Sequence, residues 1–232
     1  MLRLMRNLLL LLMVLMSARV AAQETPVTPL APDRHDGGSG VTLILTNYGF
    51  AFGGLFRAGI APSTSFVIDV SIGSGKDERE QEFIVGPFGE TVTLFKRHSF
   101  LMLPVNIGFD QRLFAETIED NFRPFLQTTI GPVFGYQWPY FDDLNENGIR
   151  DAGEPRRGAF ELGGGDFRFG LGGAIGMGAY FGEGRRAMGI RINYAAQYFL
   201  EPVELLELRP EIDNPSRQFF GSPSVSLHLL IW

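Results

Sequence analysis

The run with the most specific chemistry is Asp143-Leu-Asn-Glu-Asn-Gly-Ile-Arg-Asp-Ala-Gly-Glu154. It fits the pattern of a calcium-binding loop, with acidic or amide residues at the first, third and fifth positions, then a glycine, and a glutamate at the twelfth. Oxygen donors with this spacing can wrap one Ca²⁺, and Gly148 permits the sharp turn that the loop needs. The expected calcium ligands are Asp143, Asn145, Asn147, the carbonyl of Ile149, Asp151 and Glu154.

The segments that flank this run do not favour helices, because each contains a proline next to bulky or charged residues. They read Trp-Pro-Tyr-Phe over 138–141 and Pro-Arg-Arg-Gly over 155–158. The sequence therefore predicts an EF-hand-type loop carried on a β-hairpin. Two asparagines stand where stronger sites have aspartates, which lowers the expected affinity. The alternative interpretation is a solvated acidic turn that only resembles the motif.

A second group of residues consists of charged and amide side chains on the polar face of alternating segments. Inside a narrow barrel such charges must pair, because an unpaired buried charge is costly. The pattern predicts a structural salt-bridge network, and a narrow gated pore is the alternative. The predicted members are Arg57, Asp69, Asp110, Arg112, Arg168 and Arg191, with Asn106, Gln127, Asn193 and Gln197.

Nucleophilic catalysis has one weak candidate, Ser226 with His228, two residues apart on one strand face. A serine nucleophile needs a base within hydrogen-bond reach and an acid that orients the base. No carboxylate lies near these two residues in the sequence, and no phosphate loop, zinc spacing or acyl-transfer motif is present. We therefore predict a protein that is not an enzyme, with no catalytic and no cofactor-binding residues. A lipid-modifying enzyme is the less favoured alternative.

The elements that carry these residues are long segments in which apolar residues alternate with polar or very small ones. In residues 166–181, phenylalanine, leucine, isoleucine and methionine alternate with glycine, alanine, aspartate and arginine. Residues 65–73, 99–112, 124–137 and 187–200 repeat the pattern. Alternation with period two indicates strands. Strands this long, with a continuous apolar face, are typical of a transmembrane barrel rather than a soluble sandwich.

The connections alternate between short and long, as in outer-membrane barrels. Short ones are expected at 61–64, 112–121 and 182–187, and long ones at 75–97, 138–160 and 201–218. Residues 41–47, 52–61 and 219–231 complete a set of eight strands, and ten is the alternative. We predict an all-β, closed, antiparallel up-and-down transmembrane β-barrel. Its expected aromatic girdles are Tyr136, Trp138, Tyr140, Phe141, Tyr198, Phe199, Phe219 and Phe220 at the outer end, and Phe114, Phe122, Phe181 and Trp232 at the inner end.

The N-terminus predicts export. Arg3 and Arg6 precede an apolar run over residues 8–16, and Val20 and Ala22 complete a small-residue cleavage pattern. We expect a signal peptide over residues 1–22, a flexible Pro- and Gly-rich lead-in over 23–39 and the barrel domain over 40–232. The chain of 232 residues has no cysteine and a formal net charge of −6, which argues against a disulfide framework and a nucleic-acid partner.

The chain resembles the small outer-membrane β-barrel families of Gram-negative bacteria grouped around OmpX, OmpA and OmpW. The resemblance rests on the signal peptide, the alternating strands from residue 41, the strand opening Phe122-Arg-Pro-Phe125 before Gly131, and the terminal Trp232. It implies a monomer in the cell outer membrane whose partners are membrane lipid and the barrel-assembly machinery. The expected role is structural, or surface binding through a calcium-stabilised outer loop. A small porin-like channel and a soluble periplasmic ligand-binding barrel are alternatives.

Overall fold

The described residues form ten strands, and eight of them close into one antiparallel barrel. The computed structural model describes residues 37–84, 91–118, 121–151, 153–158, 161–182, 186–210, 212 and 214–231. The signal peptide, nearly all of the lead-in, and Trp232 lie outside these described residues. The strands are β1 (Gly38–Thr46), β2 (Gly49–Ala61), β3 (Thr64–Gly75), β4 (Gln81–Ile84), β5 (Thr91–Leu94), β6 (His98–Arg112), β7 (Phe122–Pro139), β8 (Asp166–Phe181), β9 (Arg186–Glu204) and β10 (Ser216–Ile231). The order around the barrel is β1-β10-β9-β8-β7-β6-β3-β2.

The two strands outside the barrel decide between the predicted eight-stranded barrel and the ten-stranded alternative. β4 and β5 pair only with each other and form a separate two-stranded sheet within the long connection between β3 and β6. The prediction of an eight-stranded antiparallel barrel is therefore confirmed. The strand bounds differ modestly, since β1 begins at Gly38 instead of residue 41 and β10 begins at Ser216 instead of residue 219. Both strands begin earlier because their backbones pair with neighbouring strands at residues that do not show the apolar alternation.

The two ends of the barrel differ in the length of their connections. The turn end carries the short connections after β2, β6 and β8, and the loop end carries the long ones after β3, β7 and β9. The β1–β2 turn at Asn47 and Tyr48 is the exception, because it is a tight turn at the loop end. Gly49 closes it with a φ of 122°, a conformation that side-chain-bearing residues rarely adopt.

The outer surface of the barrel is apolar, as the alternation predicted. Successive side chains of a strand point to opposite faces, so once one residue is known to face outward, the facing of every other residue in that strand follows. No helix among the described residues is both long enough and apolar enough to cross a membrane. The exposed side chains in the strands include Val41, Phe52, Phe56, Ile107, Phe109, Ile130, Leu171, Ile175, Met177, Ile192 and Leu229.

The predicted aromatic girdle at the loop end was only half right. Tyr198 and Phe219 are about half exposed, at 50% and 49%, and pair with each other across β9 and β10. Phe199 and Phe220, their neighbours in sequence, are fully buried inside the barrel, and Phe141 is buried in a loop. Adjacent residues of a strand cannot share a face, so a run of two aromatics supplies one to each side. At the turn end, by contrast, Phe114, Phe122 and Phe181 are exposed as expected.

The lumen is filled in three layers. An apolar cluster at the loop end contains Tyr48, Phe100, Met102, Val133, Phe199, Val203, Leu205 and Phe220. A second apolar cluster at the turn end contains Leu55, Val67, Phe125, Tyr180, Ala187 and Leu230. Between them lies a polar layer around Asp69, Arg191 and Asn106, whereas the Arg57–Asp110 pair lies within the turn-end cluster, against Tyr180. Glycines and alanines of β8 and β9 make room for the large side chains of the opposite wall.

Candidate functional site

Two buried ion pairs cross the lumen, as the sequence predicted for a salt-bridge network. Arg191 on β9 donates to the carboxylate of Asp69 on β3 across 2.9 Å, and it also binds Gln127 on β7. Arg57 on β2 lies 3.1 Å from the carboxylate of Asp110 on β6. The side chains of both pairs are less than a tenth exposed. The Asp69–Arg191 pair joins β3 and β9, which lie on opposite sides of the barrel, whereas the Arg57–Asp110 pair joins the two strands on either side of β3.

Arg168 does not belong to this network. It points inward, but it lies at the loop end of β8 and is 3.5 Å from Glu201 and 3.8 Å from Asp166. Both of these carboxylates are mostly exposed. The prediction that Arg168 belongs to a buried salt-bridge network was therefore wrong. The Arg168 side chain does face inward, as predicted. Its position along the strand, however, decides which carboxylates it can reach.

Two residues that line the lumen were missed in the sequence. The Tyr180 hydroxyl lies 3.3 Å from the Asp110 carboxylate, and its ring stacks under the Arg57 guanidinium at 4.7 Å. Arg123 at the turn end of β7 is also buried, at 4% exposure. The alternation of inward and outward residues could have found both. It places Tyr180 inside because Gly178, two residues before it, faces inward, and it places Arg123 inside because Phe125, two residues after it, faces inward.

Ser226 and His228 face the lumen and are fully buried. The His228 ring nitrogen Nδ1 hydrogen-bonds to the hydroxyl of Thr42 at 2.9 Å. The Ser226 hydroxyl lies 3.5 Å from Arg191 and 3.4 Å from Asn193. The hydrogen bonds of these two side chains therefore run to other lumen residues, and both are remote from the outer surface where a lipid substrate would lie.

The 143–154 run forms a loop on a hairpin base, as its flanks predicted. Phe141 and Arg156 form an isolated antiparallel bridge at the base. The amide of Asp142 donates to the carbonyl of Pro155 at 3.0 Å, and that of Arg157 donates to Tyr140 at 3.0 Å. The base brings the two ends of the twelve-residue run together without flanking helices.

Within this loop, side-chain oxygens of the predicted ligands cap backbone amides. Asp143 accepts from the amides of Asn147 at 3.1 Å and Gly148 at 2.7 Å. Glu154 reaches back across the loop and accepts from the amides of Leu144 and Asp151, each at 2.9 Å. Gly148 has a φ of 72°, and a Cβ there would meet Leu208 at 3.0 Å. The first and twelfth positions thus close one compact turn.

The middle positions of the loop point at one another. The amide nitrogens of Asn145 and Asn147 both donate to Asp151 Oδ2, at 2.8 and 3.1 Å. Among the described residues, no group of three or more His, Cys, Asp or Glu side chains is close enough together to hold a metal ion. The loop therefore gathers amide and carboxylate oxygens around a turn but does not form a cluster of carboxylates.

Three long connections bind one another at the loop end through backbone hydrogen bonds, and we call this assembly the cap. It comprises residues 95–97, the 143–154 loop and residues 205–210. The amide of Arg97 donates to Leu205 at 2.8 Å, and that of Glu207 donates to Phe95 at 2.9 Å. The amide of Leu208 donates to the carbonyl of Gly148 at 3.3 Å. The predicted calcium loop is thus one of three connected parts.

Burial and ion pairs together shift the pKa values of two carboxyl groups beside the cap. Burial raises the pKa of Glu80 above its usual range, although Lys96 lies 3.4 Å away and opposes the shift. Burial also pushes the pKa of Asp77 upward, but the hydrogen bonds and charge of Arg79 outweigh it and hold this pKa below its usual range. Both groups lie in the β3–β4 connection, outside the barrel wall.

Comparison with known proteins gives likenesses to solved structures and two negative results. No family model matches the chain, and no curated protein sequence matches it. The chain is similar to the crystal structure of Neisserial surface protein A, with 9% sequence identity and a TM-score of 0.45. The similar region covers 84% of this chain and 93% of that one.

Proposed function

We propose that this chain is exported and inserted in the bacterial outer membrane as a non-enzymatic monomeric barrel, with a structural or surface-binding role. The observation that carries this proposal is the apolar outer surface of a closed barrel, because water disfavours so large a contiguous apolar patch. A closed barrel also leaves no strand edge unpaired in lipid. Membrane fractionation with carbonate extraction tests it. Release of the folded chain into the soluble fraction would favour the periplasmic ligand-binding alternative instead.

The second part of the proposal is that the 143–154 loop binds calcium. Asp143, Asp151 and Glu154 supply three formal negative charges, and the amide oxygens of Asn145 and Asn147 and the Ile149 carbonyl complete the donor set. Binding requires the two asparagine amides to turn, since their nitrogens now face Asp151. The low charge predicts a dissociation constant of about 10⁻⁴–10⁻³ M, as in extracellular calcium modules.

Calcium is expected to protect the whole cap and not only its own loop. Because Gly148 accepts from Leu208, and Glu207 donates to Phe95, ordering of the loop restrains residues 205–210 and 95–97. Hydrogen–deuterium exchange with and without millimolar Ca²⁺ should show slower exchange in all three segments. The barrel strands should be unaffected, because their backbone bonds close independently of the loop.

The matched control for this prediction is the pair of changes Asp143→Asn and Glu154→Gln, which keep the size of the side chains and remove two charges. This variant should exchange at the same rate with and without Ca²⁺. Protection confined to 143–154 would contradict the coupling between the cap segments. Identical exchange in the wild-type protein under both conditions would contradict calcium binding and favour the solvated acidic turn.

The channel alternative predicts ion conductance, and we expect none. Apolar clusters flank the polar layer at both the loop end and the turn end, and Asp69 and Arg191 within the layer pair with each other. Purified protein in planar bilayers should therefore give no discrete current steps at either polarity. Reproducible steps that disappear on heat unfolding would support the channel and overturn the expectation.

A further inference from the structure

The polar layer of the lumen contains a chamber that the ion pairs do not fill. Its volume is about 80 Å³, and it lies between the Asp69–Arg191 pair and the apolar cluster at the loop end. Small side chains such as Ala51, Ala174 and Ala195 line it and leave the space open. At about 10–15 Å³ for each water, this space holds roughly five to eight water-sized groups.

The chamber contains polar atoms that lack partners. Within the described part of the chain, no hydrogen-bond partner faces Gln197 Oε1, Asn106 Oδ1 or Arg191 Nε. Gln197 is 8% exposed and Arg191 is 4% exposed, so bulk solvent does not satisfy them. Buried polar groups are costly unless they are hydrogen-bonded. The chamber therefore calls for an occupant that can both donate and accept hydrogen bonds.

The charge of the lining specifies this occupant further. Asp69 and Arg191 are the only charged residues that line the chamber in the described structure, and they neutralise each other at 2.9 Å. The remaining polar lining consists of amides and hydroxyls, which do not compensate a net charge. The rim reaches the surface beside the β1–β2 turn, where Ser74 is exposed. A charged solute that enters the chamber loses its hydration and finds no free counter-charge, which is costly. A neutral solute does not carry this cost.

We propose that this chamber binds a small neutral polyol of about the size of glycerol. The hydroxyl groups of such a molecule donate to Gln197 Oε1 and Asn106 Oδ1 and accept from Arg191 Nε. Its carbon atoms face Met102 and the aromatic roof of the loop-end cluster. This binding site is independent of the calcium loop and does not require it.

The test is saturation-transfer NMR on the full chain folded in deuterated detergent, with glycerol as the probe and glycerate as its charged counterpart. Glycerol should receive saturation from the wild-type protein, and glycerate should not compete with it. Ala195→Leu fills the chamber and should abolish the transfer. Ala196→Leu, one residue on and on the outward face of the same strand, is the matched control and should retain it.

A second variant covers the case in which Ala195→Leu fails to fold, as judged by heat-modifiable gel mobility. Asn106→Leu has nearly the same size and removes one acceptor, so it should weaken glycerol binding by about fivefold. No transfer in the wild-type protein would show that the chamber holds only water, and it would overturn the proposal. Equal transfer in the wild-type protein and in whichever chamber variant folds would also overturn it.

Discussion

Replacing Arg191 with methionine is expected to lower the free energy of unfolding by about 3–5 kcal/mol, because it leaves the Asp69 carboxylate buried without its partner. Replacing Asp69 with asparagine should cost less, since Arg191 still binds Gln127 and lies near Ser226. The double variant should be destabilised by less than the sum of the two single changes. Urea unfolding in detergent, followed by tryptophan fluorescence, measures all three.

Arg168→Met is the control for this cycle, because it removes the same charge from the same barrel. Its partners Asp166 and Glu201 are largely exposed, so the expected loss is about 0–1 kcal/mol. Strict additivity between Arg191→Met and Asp69→Asn would show that the pair does not act as a unit. An equally large loss at Arg168 would show that burial of the partner is not the deciding factor.

Placing an arginine at Ile192 is the second change with a large expected effect. Ile192 is 62% exposed on the outward face, in the central part of β9, where lipid is expected to surround it. An arginine near the midplane of a bilayer costs about 2–4 kcal/mol in a transmembrane barrel. Refolding into lipid vesicles, followed by denaturant unfolding, measures the loss.

Leu200→Arg is the matched control, because it makes a comparable change on the same strand and the same face. Leu200 is 67% exposed but lies near the loop end of β9, where the cost falls to about 0–1 kcal/mol. Equal losses at the two positions would contradict the placement of the membrane. Folding of Ile192→Arg with wild-type stability would contradict the lipid-facing assignment itself.

The barrel was predictable because one rule fixes most of it. Alternation with period two assigns every residue of a long strand to one face, and that assignment placed Asp69, Asp110 and Arg191 in the lumen correctly. The same rule, applied to each residue separately, would also have moved Phe199 and Phe220 from the girdle to the interior. Those two depart from the predicted girdle because aromatic residues that are adjacent in a strand point to opposite faces.

The pairing of lumen charges and the structure of the cap were not predictable in the same way. Which arginine meets which aspartate depends on the stagger between strands that are far apart in sequence. The alternation shows on which side of a strand a residue lies, but it does not show this stagger. This is why Arg57 pairs with Asp110 while Arg168 reaches Glu201 at the loop end. The cap likewise depends on hydrogen bonds between loops, which leave no periodic pattern in the sequence.

The cap has a consequence for how freely this surface can change its chemistry. The bonds that connect its three parts run between main-chain groups, with Leu205, Phe95 and Gly148 as acceptors. The exposed side chains of Phe95 and Leu208 can therefore be exchanged while the bonds persist, whereas Gly148 has to stay glycine and Leu205 has to fill the loop-end cluster. A proline at Arg97, Glu207 or Leu208 removes a donor. The molecule can thus present different side chains at the exposed positions of the cap on one unchanged loop architecture.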